Sequence, residues 1–318
     1  MTRVWITRPL PGPVLDAARA LDAEVVVREE TGPLADAELR RALRDFDIVL
    51  PTLGDMFSAQ VFADVGGARC RLLANFGVGY NHIDVAAAHA AGIAVTNTPG
   101  AVTDATADIA LMLMLMSARR AGEGERMVRA GQWPGWHPTQ MLGLHMSGKR
   151  VGIVGLGRIG QAIAHRCHYG FGMEVHYTSR SEKNVPFPAV RAPDLMALAE
   201  GVDFLVIAVP GGAETHHLIG EDVFNAMAPH GHLVNISRGD VVDEAALASA
   251  LTEGKIAGAG LDVYEFEPQV SEALLGMEQV TLLPHLGTAA LEVRTDMGRM
   301  AVANIAAFLN GETLPNPV

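Results

Sequence analysis

The chain has 318 residues, 49% of them hydrophobic and 19% charged, a length and balance that suit two domains with buried cores and exclude a disordered chain or a stapled mini-protein. Its formal net charge of −12 offers no basic field to nucleic acid or an anionic membrane. Two cysteines without CxxC spacing, Cys70 and Cys167, and a start without the profile of a signal peptide imply a reducing, cytoplasmic setting.

In chain order, short β-branched runs at 4–7, 25–27, 48–50, 72–75 and 94–97 alternate with amphipathic segments at 14–21, 36–43 and 85–91, the rhythm of parallel α/β structure. A long helix over 104–120 follows, with Asp104 at its positive end, Arg119 and Arg120 at its negative end and Gly122 as a stop. Its apolar run, 109–116, is far short of the roughly 20 residues of a membrane span and reads as core. After a Gly/Trp/Pro-rich stretch at 131–143, strands at 150–154, 174–178, 204–208, 232–236, 258–262 and 280–283 predict a second parallel sheet. A final helix over 289–310 is placed to fold back on the first half.

One motif points to a dinucleotide. Gly155-Leu156-Gly157-Arg158-Ile159-Gly160 follows the strand 150–154 and precedes a helix over 161–168, the context in which backbone N–H groups and a positive helix end hold a pyrophosphate. Where an acidic residue would accept the ribose hydroxyls of NAD, the chain has Ser179-Arg180-Ser181, donors suited to a 2′-phosphate, so NADPH is favoured over NADH.

Three polar residues follow three later strands: Arg238 after Ser237, Glu267 before Pro268, and His285 after Pro284. Ligands bind beyond the carboxyl ends of parallel strands, so these loops are expected to converge. Reduction of a ketone by hydride needs a proton donor, a cation for the substrate carboxylate and a group that orients the donor. His285, Arg238 and Glu267 fit these roles respectively.

Over nearly its whole length the chain resembles the D-isomer-specific 2-hydroxyacid dehydrogenases. The matching segments are 77–84 (GVGYNHID), 97–100 (NTPG), 103–108 (TDATAD), the glycine loop, 237–239 (SRG), 260–263 (GLDV) with Glu267-Pro268, and Pro284-His285. The resemblance implies two Rossmann-like domains with parallel sheets and a cleft: a discontinuous substrate domain, 1–98 with 286–318, and a dinucleotide domain, 99–285. It implies homodimers, substrate contacts from Leu53, Val78 and Gly79 besides Arg238 and His285, and cofactor contacts from Thr106, Val209, Pro210, Thr215, Ser237, Arg238, Asp262, His285 and Gly287. The stretch 132–138 (QWPGWHP) is similar to the glyoxylate/hydroxypyruvate reductase branch, in which a tryptophan reaches the partner's pocket; packing in a dimer arm accounts for Trp133 and Trp136 equally. The chain's end at Val318, without a regulatory domain, makes serine biosynthesis a weaker expectation.

The alternatives are an NAD-dependent dehydrogenase of another 2-hydroxy acid and a non-catalytic, dinucleotide-sensing corepressor-like protein. A metal hydrolase is disfavoured, because the pairs His165/His168, His216/His217 and His230/His232 lack carboxylates at ligand-like sequence spacing, and no metal is expected. Cys167 reads as buried and inert.

Overall fold

A computed structural model describes residues 1–318 as two units, Met1–Val102 with Ala289–Val318, and Thr103–Thr288. The first contains β1 (Arg3–Ile6), α1 (Gly12–Arg19), β2 (Glu24–Val27), α2 (Asp36–Asp45), β3 (Ile48–Leu50), α3 (Ala59–Val65), β4 (Leu72–Ala74), α4 (Val85–Ala90) and β5 (Ala94–Thr96). The strands form one parallel sheet, ordered β2-β1-β3-β4-β5. Side chains alternate across β1: Val4 and Ile6 join one core, Trp5 the other, where it stacks on Phe46 at 5.1 Å. Each such fully buried aliphatic side chain stabilises the unit by about 1.5–3 kcal/mol.

The second unit contains α5 (Thr103–Ala118), α6 (Ala121–Arg129), β6 (Arg150–Val154), α7 (Arg158–Phe171), β7 (Glu174–Thr178), β8 (Ala189–Arg191), α8 (Leu195–Glu200), β9 (Phe204–Ile207), α9 (Glu221–Ala226), β10 (His232–Asn235), α10 (Glu244–Thr252), β11 (Gly258–Leu261), α11 (Glu272–Leu275) and β12 (Val280–Leu282). Its sheet is ordered β12-β11-β10-β9-β6-β7-β8, all parallel. The strand order reverses between β6 and β9, the switch point at which doubly wound sheets open a crevice for a ligand. The chain then ends with α12 (Leu291–Leu309), which belongs to the first unit and packs on α1 so closely that a Cβ on Gly298 would lie 2.4 Å from Val14 Cγ2.

Both parallel sheets match the α/β fold class read from the sequence, and most elements fall within a few residues of expectation. The long helix does not. It stops at Ala118, Arg120 turns left-handed at φ 53°, and α6 carries Gly122 inside it. The cause lies 26 residues on, where Leu144 N–H donates to the Ala118 carbonyl at 2.8 Å and takes over the end of α5. The apolar run 109–116 is only half core: Leu111, Leu113 and Met114 are buried, whereas Leu115 and Met116 line an open apolar groove with Tyr169. Seven elements, β8 and the helices α3, α6, α8, α9, α10 and α11, had no expectation.

Candidate active site

The glycine loop links β6 to α7. A Cβ on Gly155 (φ +96°) would sit 2.8 Å from the Ala208 carbonyl oxygen, and one on Gly160 2.2 Å from the Gly155 carbonyl oxygen, so glycine alone lets α7 start this close to the switch point. Above Gly157 there is open space. Several other helices satisfy an N-terminal amide with a side chain, as Asp84, Asp194 and Asp243 do for α4, α8 and α10. The N-cap of α7 is Gly157, with no side-chain cap and no acid in the first turn, which leaves the positive end of a 14-residue helix to a ligand. This arrangement fits a dinucleotide pyrophosphate held by the Gly155–Gly160 segment.

At the end of β7, Ser179 Oγ donates to the Ser181 carbonyl. Arg191 donates to the Ser179 carbonyl at 2.9 Å and Lys183 Nζ to Ser181 Oγ at 2.9 Å, so two cations absent from the sequence reading join Arg180 here. Arg180 itself is 89% exposed and only 3.9 Å from the equally exposed Glu214.

The three loops after β10, β11 and β12 are clamped together. Asn235 accepts from Ser237 N–H and Oγ–H and donates to the Arg238 carbonyl, fixing the turn that carries Arg238. Next to it a Cβ on Gly239 would lie 1.8 Å from the Tyr264 carbonyl carbon, so this residue's smallness brings the Arg238 turn onto the Glu267 loop. Tyr264 N–H donates to Glu267 Oε1 at 3.0 Å, and its hydroxyl donates to the Leu283 carbonyl at 2.8 Å, joining the Glu267 loop to the strand leading to His285. Buried Glu244, whose carboxyl burial pushes up, accepts from Glu265 N–H at 2.8 Å.

Beyond these clamps, His285 Nδ1 lies 2.9 Å from Glu267 Oε2, both side chains being about 30% exposed. His285 holds a left-handed φ of 53°, a conformation fixed by Asp262, whose two oxygens accept from Leu286 N–H at 2.6 Å and Gly287 N–H at 2.8 Å. Burial pushes the Asp262 carboxyl up against these two donors. Thr106 Oγ donates to the Gly287 carbonyl at 3.3 Å. Burial opposes charge on Glu267, but the His285 bond and charge, the Tyr264 amide and Arg238 outweigh it and hold its carboxyl below the usual carboxylate range. Arg238 is half-buried and its Nε wholly buried without a partner; burial lowers its pKa, against the charges of Glu267 and Asp240. A buried cation with an unsatisfied donor beside a Glu–His pair can grip a carboxylate and deliver a proton next to it.

Of the remaining expected contacts, Val209, Pro210 and Thr215 lie in the loop after β9, where Thr215 Oγ donates to the Pro210 carbonyl at 2.8 Å. Leu53, Val78 and Gly79 belong to the first unit. There Asn75 donates to the carbonyls of Gly77 and Gly79, and Asn97 to that of Val78 at 2.9 Å, while the Val78 and Gly79 amides have no partner in the turn. Arg8, paired with buried Asp55 at 3.0 Å, holds the Leu53 carbonyl at 2.6 Å. Sequence reasoning missed Arg8, Asp55, Asn75, Asn97, Asn235 and Tyr264; a polar residue just past a strand was the available signal for both Asn75 and Asn97. Of the paired histidines, His165, His216 and His230 are exposed, but sequence spacing hid two carboxylate partners: His217 lies 2.8 Å from Glu265 and His230 2.8 Å from Asp203, while His232 is buried against Ser117. Buried Cys167 matches its reading, its thiol pushed up to about 12 by burial.

A doubly wound sheet with an uncapped glycine loop at its switch point, and an Arg–Glu–His cluster past its later strands, defines a nicotinamide-dependent oxidoreductase. Residues 111–287 match the D-isomer specific 2-hydroxyacid dehydrogenase, NAD binding domain. Over 99% of its length the chain is 42% identical to a glyoxylate reductase of Thermococcus gammatolerans, covering 95% of that protein, and 41% identical to one of Pyrococcus furiosus. Among solved structures it is similar to an NADPH-dependent glyoxylate/hydroxypyruvate reductase of Sinorhizobium meliloti in complex with NADP and malonate (TM-score 0.88, 37% identity, 100% of this chain and 96% of that one). It is also similar to the D-mandelate dehydrogenase of Rhodotorula graminis (TM-score 0.85, 31% identity, 100% and 97% covered). The chain belongs to the D-isomer specific 2-hydroxyacid dehydrogenase family.

Proposed function

We propose that this chain reduces a small 2-oxo acid, glyoxylate or hydroxypyruvate foremost, to the D-2-hydroxy acid with NADPH as hydride donor. The observation that carries this reading is the Glu267–His285 pair beside a buried Arg238 donor that has no protein partner. Arg238 grips the substrate carboxylate, His285 protonates the carbonyl oxygen as C2 accepts hydride, and Glu267 orients the ring and offsets the charge on it. The reduced nicotinamide supplies the hydride when bound. The Gly155–Gly160 segment holds its pyrophosphate, and Thr106, Val209, Pro210, Thr215, Ser237, Asp262 and Gly287 line the rest of its path. Leu53 and the free amides of Val78 and Gly79 offer further contacts to the acid.

NADPH is preferred over NADH because Ser179 stands where a carboxylate would repel a 2′-phosphate, and Arg180, Lys183 and Arg191 gather around it. The glyoxylate reductases and the NADP-bound reductase among its relatives support both choices. Residues 1–98 with 286–318 act as the substrate domain and 99–285 as the dinucleotide domain. A second copy of the chain covers the apolar groove at Leu115, Met116 and Tyr169, making a homodimer. The two free cysteines suit the reducing cytoplasm, and no helix is long and apolar enough to cross a membrane.

The test is absorbance at about 340 nm while the protein is offered 2-oxo acids with NADPH and with NADH. Oxidation of NADPH by glyoxylate or hydroxypyruvate is expected. Faster use of NADH overturns the cofactor preference, and dinucleotide binding without turnover of any acid overturns the enzymatic reading in favour of a sensor.

A further inference from the structure

We propose that His216, His217 and Glu265 form a binding site for a divalent transition ion of the zinc type, apart from the Arg238–Glu267–His285 cluster and independent of the function proposed above. Two consecutive side chains in extended backbone point to opposite faces. Here His217 is left-handed at φ 51°, its N–H donating to the Asp240 carbonyl at 2.8 Å, and the two imidazoles stack at 4.0 Å and 26° on one side of the loop. Glu265, from the loop after β11, is 13% exposed and places Oε1 2.8 Å from His217 Nε2. One ligand atom from each of the three residues lies within 4.8 Å of the others.

Zinc binds imidazole nitrogen and carboxylate oxygen at about 2.0–2.2 Å, which puts neighbouring ligands of a tetrahedral ion roughly 3.4 Å apart. The His217–Glu265 pair, at 2.8 Å, lies about 0.6 Å inside that spacing and opens slightly to admit the ion. Only exposed His216 has to close in, by rotation of a side chain free to turn. Two neutral imidazoles and one carboxylate suit zinc, with water completing the shell. The ion takes the place of the proton shared by His217 Nε2 and Glu265, and that proton moves to His217 Nδ1. There Asp243 Oδ2 waits at 3.9 Å, in the carboxylate–histidine arrangement that orients metal ligands. The other oxygen of Asp243 is fixed by the Ala246 amide at 3.0 Å. No comparable set forms at His230, whose ring is paired with Asp203, or at His168, stacked on Phe187 at 5.3 Å. An ion here ties the loop after β9 to the loop after β11, whose Glu265 amide is held by Glu244.

The experiment is calorimetric titration of the full chain with zinc chloride, together with the visible spectrum after cobalt(II) addition. Expected are one equivalent of zinc and the intensified cobalt bands of a four- or five-coordinate site. His216→Ala and Glu265→Gln should each weaken zinc binding by about tenfold or more and remove those bands, with the metal-free thermal midpoint of His216→Ala unchanged. Zinc binding at full strength in both variants, or none at millimolar zinc in the parent, overturns the proposal. His216 is exposed, so its variant keeps the test open even where Glu265→Gln perturbs the loop.

Discussion

The two units carry the same kind of parallel sheet but finish their loops in opposite ways. In the first, Asn75 and Asn97 are neutral amides that hold three carbonyls and leave backbone N–H groups to act. In the second, the loops after β10, β11 and β12 present Arg238, Glu267 and His285, held by Asn235, Tyr264 and Asp262. Chemically the two sets differ: backbone donors can only bind, whereas ionisable side chains can also move a proton and carry the charge it leaves.

The sharpest way to probe that contrast is to remove the imidazole proposed as proton donor. His285→Ala should lower kcat by about 10²–10⁴-fold while dinucleotide affinity, read by quenching of protein fluorescence, stays within a small factor. Equal losses in both would place His285 in cofactor binding rather than in proton transfer. Next in size is Arg238→Lys, which keeps the charge and loses the fork. Loss of a charge-assisted hydrogen bond of about 1.5–3 kcal/mol predicts a fall in kcat/KM of roughly 10–150-fold, with KM for the acid rising. An unchanged KM would remove Arg238 from carboxylate binding.

A smaller and more selective effect belongs to Arg180→Ala. Exposed as it is, its contribution to a 2′-phosphate is about 1–1.5 kcal/mol, so KM for NADPH should rise by roughly tenfold with that for NADH unmoved. An equal rise for both would assign Arg180 to neither. At neutral pH the smallest effect is that of His232, and it grows only in acid. Burial, aided by the charge of nearby His230, pushes His232 down from 6.5 to about 4. As pH falls below about 6.5 the unfolded chain binds a proton that the folded chain refuses until about pH 4. Stability from this group is therefore full above the first value, lost between the two, and level below the second, by a few kcal/mol at about 1.4 kcal/mol per unit. Urea midpoints taken across that window should fall less steeply in His232→Asn; parallel slopes would sink the assignment.

How much of this was legible in the sequence follows the range of the interactions. Strand-length β-branched runs, the glycine loop and the three residues past their strands are local patterns, so Arg238, Glu267 and His285 stand out as candidates without a contact map. What it could not show depends on partners far along the chain. The end of α5 is set by Leu144, the pairing of His217 by Glu265 and the burial of His232 by Ser117. The same holds for Gly239, whose neighbour Tyr264 explains the glycine only once both loops are folded.

Recognition of the 2-oxo acid through its carboxylate, as proposed for Arg238, is best probed by comparing the best 2-oxo acid with its own methyl ester. With NADPH and the parent protein, kcat/KM for the acid should exceed that for the ester by about tenfold or more, and the ratio should shrink in Arg238→Lys. An ester turned over as well as the acid by the parent protein would mean that Arg238 does not grip the substrate carboxylate.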